Sequence, residues 1–529
     1  MQLDRFSFSS LFRWQRWLAV LLAVVLVWSG IPAVAIAQTR PQPSIQPYLD
    51  GVADRITEFT LKNGMKFIVM ERHQAPVVSF MTYVNVGAAE EEPGKTGAAH
   101  FLEHLAFKGT TRIGTTNYEA ERPLLDRLDE LFEQIQTAKA AGQTETVATL
   151  QQEFDQVQTE AAKYVKQNEY GQIVEQSGGV GLNATTSADA TRYFYSFPAN
   201  KLELWMSLES ERFLEPVFRE FYEEKDVILE ERRTRTDNSP IGKMIEVFLE
   251  TALEGHPYGR PVIGYEEDIR NLTRQDIQDL FDAHYTPDNI VVAVVGDVQP
   301  NRVKQLAEAY FGRYQARDRS PALDVPMLQQ NAPKEVTLEF PSEPWYFEGY
   351  LRPGIDSPDN AIYDVISSLL VGGRTSRLYR SLVEQKQIAL NVDFISNFPG
   401  NRFSNVVLMY ALSAPGHTLD EIADAFAAEI ELLKREPVSA QELDRVKTQT
   451  RAGVLKALAS NQGMASLLAE YEAKTGSWRN LFDDLKTVEA ITAQDVQRVA
   501  QDLFQPTKLT IGKLITANAS PVSTPTPNP

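Results

Sequence analysis

The segment LTRQDIQDLFDAHYTPDNIVVAVVG, which starts at Leu272, returns as ITAQDVQRVAQDLFQPTKLTIGKL from Ile491. Thr273/Thr492, Gln275/Gln494, Asp276/Asp495, Gln278/Gln497 and Pro287/Pro506 keep a constant offset of 491 − 272 = 219. A chain that repeats a helix-turn-strand unit at this distance is expected to fold as two homologous α/β halves, an α+β arrangement. Each half should pair an antiparallel sheet with helices on one face. Residues 316–333, rich in Pro, Gln and Asp, read as the linker between residues 38–315 and 334–515. The 529 residues, 43% hydrophobic, suffice for two cores. From residue 516 the low-complexity tail, ending ANASPVSTPTPNP, reads as disordered.

Two of the six histidines lie four residues apart in GAAHFLEHLAFKGT, residues 97–110. On a helix His100 and His104 share one face with Glu103 beside them, so two imidazoles can take one ion while the carboxylate reaches water on it. Zinc suits such donors and, in catalytic sites, takes three protein ligands and leaves a fourth position open. Glu103 is then the expected general base.

The order H-x-x-E-H is the inverted form of the zinc-protease signature. With its small residues before and Phe-Lys-Gly-Thr after, the whole segment resembles the active-site helix of the insulinase/pitrilysin zinc metallopeptidases. The resemblance covers about residues 54–514, is nearest to the processing-peptidase branch, and implies a zinc endopeptidase with one zinc per chain, the alternative being a non-catalytic peptide-binding or assembly subunit of the same fold. It implies Glu231 as third ligand, because Asp226-Val227-Ile228-Leu229-Glu230-Glu231 matches the family's D-V-I-x-x-E run. Glu224, on the same helical face, is expected to orient the site without binding metal. GGVGLNATTSADATRYFYSFP, residues 178–198, looks like the family's edge strand, and Asn183, Ala184 and Thr185 are expected along a substrate-binding edge.

One departure concerns spacing: His104 to Glu231 is 231 − 104 = 127 positions, longer by roughly fifty than the family's usual gap. Leu125, Leu128, Phe132 and Ile135, then Leu150, Phe154, Val157 and Ala161, repeat at helical spacing around Ala141-Gly142. A helical hairpin inserted at about 119–168 accounts for the excess, and its stripe reads as packing surface for the hairpin itself.

The second half has no histidine between Glu335 and Arg402, and the offset of 219 puts Thr450 where the first half has Glu231. The resemblance implies that this inactive half closes a clamshell chamber, and VGGRTSRLYRSLVEQKQIALNV resembles its signature segment. In that run the family places an Arg and, seven residues on, a Tyr that hold the substrate carbonyl. Here Val383 and Leu390 stand at those positions and donate no hydrogen bond. The expected partner is therefore a homologous subunit that keeps the Arg and Tyr, with this chain as the metal-bearing member of a heterodimer; a chain that positions substrate through Lys386 or Arg374 is the alternative.

At the other end, Arg13 and Arg16 precede an apolar run and Ala35-Ile36-Ala37, which reads as an export signal over 1–37 cleaved after Ala37, or else as an uncleaved anchor. The expected location is periplasmic or extracellular. With 52 Lys+Arg against 71 Asp+Glu the net charge is −19, which argues against a nucleic-acid partner. There is no cysteine and so no disulfide framework. FTLKNGMKFIVM reads as a hairpin with a type I′ turn at Asn63-Gly64. His73, His256, His284 and His417 read as structural or exposed.

Overall fold

The structure is a computed structural model that describes residues 46–317 and 320–517. The leader expected at 1–37 and all but the first two residues of the expected tail lie outside the described residues. The described residues from Gly51 onward form one compact unit.

Two sheets carry the repeat. The first is built from β1 (Ile56–Thr60), β2 (Lys66–Glu71), β3 (Val77–Val84), β4 (Val180–Thr186), β5 (Thr191–Pro198) and β6 (Ile290–Gly296), in the order β1-β2-β6-β3-β5-β4. The second has β7 (Lys334–Phe340), β8 (Trp345–Arg352), β9 (Ala389–Phe398), β10 (Asn405–Ser413) and β11 (Leu509–Thr516), in the order β7-β11-β8-β10-β9. Apart from β1 the two orders are the same. Both sheets are antiparallel except for one parallel pair each, β2 with β6 and β7 with β11. The parallel pair follows from the repeat, whose last strand returns beside the first strand that the two halves share, β2 or β7. Pattern follows position: IVVAVVG of β6 is buried throughout at the centre, whereas β7, an edge strand, alternates between more and less exposed residues.

The register makes the correspondence exact to the residue. Asn183, Phe194, Met81 and Ala293 form one row across the first sheet, and Asp393, Tyr410, Phe347 and Gly512 form the matching row across the second. Ala293 and Gly512 differ by the offset of 219 already visible in the sequence. Strands β3 and β8 differ by 266, from Met81 and Phe347.

Helices from its own half cover one face of each sheet, and a helix lent by the other half lies on the opposite face. Pro240–Ala252 from the first half packs on β7 and β11, with Met244 and Phe248 buried against Phe347. Asn461–Thr475 from the second half packs on β3 and β6. The exchange needs small residues beneath it. A methyl group at Gly512 would lie 2.4 Å from Met244 Cε, and one at Gly349 would lie 2.6 Å from Phe248 Cζ.

Two local expectations change. The hairpin between β1 and β2 has a three-residue loop: Leu61 pairs with Met65, and Gly64 N–H donates to Leu61 O at 3.0 Å. Only Gly64 takes a positive φ, +97°, so the turn is not type I′, which needs a positive φ at Asn63 too. Asn63 instead donates to the carbonyls of Phe311 and Tyr314 at 2.9 and 3.1 Å. The inserted hairpin consists of Tyr118–Ala140 and Thr144–Ala162, and its apolar stripe packs on more than itself. Phe132 and Phe154 lie 5.2 and 5.0 Å from the Tyr222 ring, and Asp129 accepts from Tyr222 Oη at 2.9 Å. Glu121 and Arg219, both fully buried, form an ion pair at 2.9 Å. The hairpin thus buttresses the helix that carries Glu231.

Candidate metal centre

His100, Glu103 and His104 sit on the helix Ala98–Leu105, which follows β3 after the connection 85–97 with its single turn of 3-10 helix, Ala88–Glu90. Phe101, Leu102 and Leu105 bury the opposite face in the first core, and this fixes the two imidazoles on the outward side. Glu224 and Glu231 come from the helix Phe221–Arg232, where Ile228, fully buried between them, anchors the shared face. Val227 is 49% exposed, and Glu230 is exposed and paired with Arg233 at 2.6 Å.

The two helices bring His100, His104 and Glu231 together, with one donor atom from each lying within 4.8 Å of the others. Glu231 Oε2 is 3.5 Å from His104 Nε2 and 3.8 Å from His100 Nε2. Zinc ligands bind at about 2.0–2.2 Å in a tetrahedron, which requires donor separations of this order. His100 Nδ1 is buried with no hydrogen-bond partner, and the ring is only slightly exposed. Two imidazoles and a carboxylate at these separations fit a divalent cation of zinc type.

The charges around the triad suit such an ion. Burial, with His104 alongside, pushes His100 down to about 4, so this imidazole is neutral near pH 7 and keeps a free lone pair. At His104 burial also favours the neutral form, but Glu224 and Glu231 outweigh it and raise the group to about 9. The carboxylates that favour positive charge there favour a bound cation in the same way. Glu224 Oε2 holds His104 Nδ1 at 3.1 Å, and its other oxygen pairs with Lys108. Burial opposes the Glu224 charge, yet His104 and Lys108 keep it below the usual carboxylate range. Glu231 is lowered by its bond to His104 and by the nearby positive charges, Arg235 at 2.6 Å among them.

Glu103 is not part of the triad. Burial raises its pKa, against a 2.6 Å hydrogen bond from Thr186 Oγ1 at the end of β4. A carboxylate held in that way can accept a proton.

β4 is the edge of its sheet, and Asn183, Ala184 and Thr185 lie along it. Asn183 and Thr185 are exposed while Ala184 is buried, and Asn183 Oδ1 accepts from Ala184 N–H at 2.9 Å. In the second half Val383 is partly buried against the core, whereas Leu390 is 56% exposed on β9. Thr186 and Lys108 escaped the sequence reading, although a second Thr beside Thr185 in the expected edge strand and a Lys one turn after His104 marked them. Glu91 escaped it too. Its carboxylate accepts from Gly97 N–H at 3.0 Å and Ala99 N–H at 2.8 Å, which caps the metal helix from outside the His100–His104 motif.

Comparison with known proteins identifies the family. The family model described as Insulinase (Peptidase family M16) matches residues 66–123 and 156–266, so the break falls within the inserted hairpin. The model described as Peptidase M16 inactive domain matches residues 271–450. The zinc protease PqqE of Helicobacter pylori is 30% identical over 496 residues, covering 91% of this chain and 96% of that protein. The chain belongs to the insulinase family of metallopeptidases. Among solved structures, a protease from Helicobacter pylori is similar with a TM-score of 0.73 and 28% identity, over 87% of this chain and 99% of that one. The periplasmic protease PqqL of Escherichia coli shares the fold, with a TM-score of 0.66 and 17% identity, and this chain spans 48% of its length.

Proposed function

We propose that this protein is an exported, zinc-dependent endopeptidase that takes unfolded peptides or leader segments into a closed chamber and hydrolyses them. The observation that carries the reading is the convergence of His100, His104 and Glu231 on one point, with Glu103 beside it and outside the ligand set. Zinc, one per chain, supplies Lewis acidity toward a peptide carbonyl and toward water. Glu103 takes the proton from the attacking water and passes it to the leaving amine, and Thr186 fixes the carboxylate that does so. Glu224 and Lys108 hold the His104 ring in its tautomer and orientation. Backbone groups along β4, at Asn183, Ala184 and Thr185, align an extended peptide by adding it as a strand. Export rests on the leader at 1–37, and the name of PqqL as a periplasmic protease supports it.

The substrate carbonyl also needs donors as charge develops, and Val383 and Leu390 provide none. The chain acts on this reading as the metal-bearing subunit of a heterodimer, with a homologous chain contributing an Arg and a Tyr. One experiment tests both parts: peptide cleavage and zinc content of the wild type and of Glu103→Gln, each alone and with such a homologue. Glu103→Gln keeps its zinc and loses about a hundredfold or more in kcat, the scale of general-base catalysis. Wild-type turnover by that variant overturns the role of Glu103, and full activity of the isolated wild type, unchanged by the homologue, overturns the shared site.

A further inference from the structure

Where the two halves meet, the loop between β9 and β10 touches the two turns that support the catalytic elements of the first half. Asp189, 2% exposed, stands in the turn between β4 and β5 and accepts from Asn401 N–H at 2.9 Å and from Arg402 N–H at 3.4 Å. Tyr258 Oη donates to the same carboxylate and accepts from Arg402 N–H at 3.1 Å. Lys474 Nζ lies 3.5 Å from Asp189. The Arg402 guanidinium pairs with Glu90, which is 8% exposed, in the turn between β3 and the metal helix.

Each turn leads directly to the site. Beside Glu90 in its turn, Glu91 caps Gly97 and Ala99 at the start of the helix that bears His100. In the other turn, three residues before Asp189, Thr186 donates to Glu103. The turns are also joined to each other, since Ala88 N–H and Ala89 N–H donate to Ser187 O and Ala188 O at 3.1 and 3.0 Å. Arg260 closes the far side by donating to Glu91 O at 2.8 Å and Ala89 O at 3.0 Å.

We propose that residues 401–403 of the second half are a positioning clasp, and that Arg402, through Glu90, sets the orientation of the metal helix against β4. The half without ligands thereby holds the Glu103–Thr186 contact and the His100 position in place, although it touches neither. The catalytic consequence rests on the peptidase reading, while the structural one does not. The charges are matched and well shielded, so the pair is geometrically specific. Removing Arg402 leaves the buried Glu90 carboxylate without its ion-pair partner, whereas removing Glu90 leaves Arg402 with Asp189 at 3.9 Å. Catalytic geometry is sensitive on this scale, because a misplacement of about 1 Å can cost on the order of a hundredfold.

The test uses the full chain as wild type, Arg402→Ala, Arg402→Lys, Glu90→Gln and the Arg402→Ala/Glu90→Gln double variant. Amide hydrogen exchange is followed in peptides covering 97–105, 180–186 and, as reference, 419–435 in the second half. Arg402→Ala is expected to speed exchange about tenfold in the first two peptides and leave the reference unchanged, with Arg402→Lys close to wild type. Peptide cleavage should show kcat lower by about ten- to a hundredfold with KM within about twofold, and the double variant should be no worse than the worse single one. Exchange that stays at wild-type rates in 97–105, or rises equally in all three peptides, overturns the clasp. So do additive effects of the two substitutions. A wild type that cleaves no peptide even with the homologous subunit present, while the exchange pattern appears as expected, defeats the peptidase reading and leaves the clasp standing.

Discussion

The two halves share a strand order, a register and a parallel closing pair, yet among the described residues only the first brings together a His-His-Glu group that could hold a metal. The offset of 266 between β3 and β8, carried into the helix that follows, makes Leu105 and Val371 its matching last residues. His100, Glu103 and His104 then correspond to Ile366, Leu369 and Leu370, all fully buried. The offset of 219 starts both following helices together, Phe221–Arg232 and Ala440–Ala459, and sets Glu224 and Glu231 against Leu443 and Thr450. At four of the five positions the second half has a buried aliphatic residue, and at the fifth it has the half-buried Thr450. The scaffold does not need the polar residues. Aliphatic side chains fill the same helix face in the second half, so the histidines and acids are there for what they hold rather than for the fold.

The largest effect expected from breaking this contrast comes from writing the second half's residues into the first. His100→Ile with His104→Leu removes two of the three ligands and should abolish stoichiometric zinc binding and lower cleavage on the order of a thousandfold or more. The fold should survive. Glu224 keeps Lys108 and Glu231 keeps Arg235, so neither carboxylate is stranded. Elemental analysis and a thermal melt of the metal-stripped proteins check both statements. Retained zinc refutes the ligand set, and a collapse of the melting transition refutes the claim that the scaffold is indifferent to these residues.

Much of this was legible in the sequence because the determining interactions are local or repeated. His100, Glu103 and His104 share a helix whose spacing alone places them on one face. The repeat from Leu272 and Ile491 held residue for residue, down to the boxes in which Thr273 with Asp276 and Thr492 with Asp495 cap their helices. The failures are long-range. Nothing in the local pattern of MIEVFLETA says that this helix covers the other half's sheet, since an apolar stripe does not name its partner. The turn at Asn63-Gly64 was misread because contacts with Phe311 and Tyr314, about 250 residues away, decide the conformation of Asn63. The hairpin's stripe was read as self-packing for the same reason, as Tyr222 and Arg219 lie far from it in sequence.

A smaller effect sharpens the contrast at Glu224, whose counterpart Leu443 is buried. Glu224→Gln keeps the size of the side chain and removes the charge that faces His104 Nδ1 at 3.1 Å. Loss of such an orienting partner typically weakens metal affinity by about ten- to a hundredfold, here without loss of the zinc at saturation. Competition with a chelator of known affinity measures it, and an unchanged affinity removes Glu224 from the site.

The smallest effect tests the halves where both bury a carboxylate at the same place. Thr82 and Glu348 occupy the same row, set by Val292 and Ile511 at the offset of 219. In the first half Thr82 donates at 2.6 Å to Glu209, which has Arg212 as an ion-pair partner at 3.4 Å. In the second half the strand itself carries the acid, and the described partners of Glu348 are the hydroxyls of Tyr346, at 3.1 Å, and Tyr350. Burial, opposed by those two hydrogen bonds, raises Glu348 from 4.5 to about 7. Between these two values the folded protein holds a proton that the unfolded chain releases, so the unfolded state binds fewer protons. Stability must then fall as pH rises through the window, by at most about 1.4 kcal/mol per pH unit from this group. Glu348→Gln cannot release a proton and should lack that contribution. Urea midpoints of the metal-stripped wild type and variant at pH 5, 6, 7 and 8 are therefore expected to converge or cross, with the variant gaining relative to wild type up to about pH 7. Above that value both states of the wild type are ionised and the difference should level off. Parallel curves across the range would mean that Glu348 is ionised in the folded protein and that its two tyrosine partners outweigh its burial.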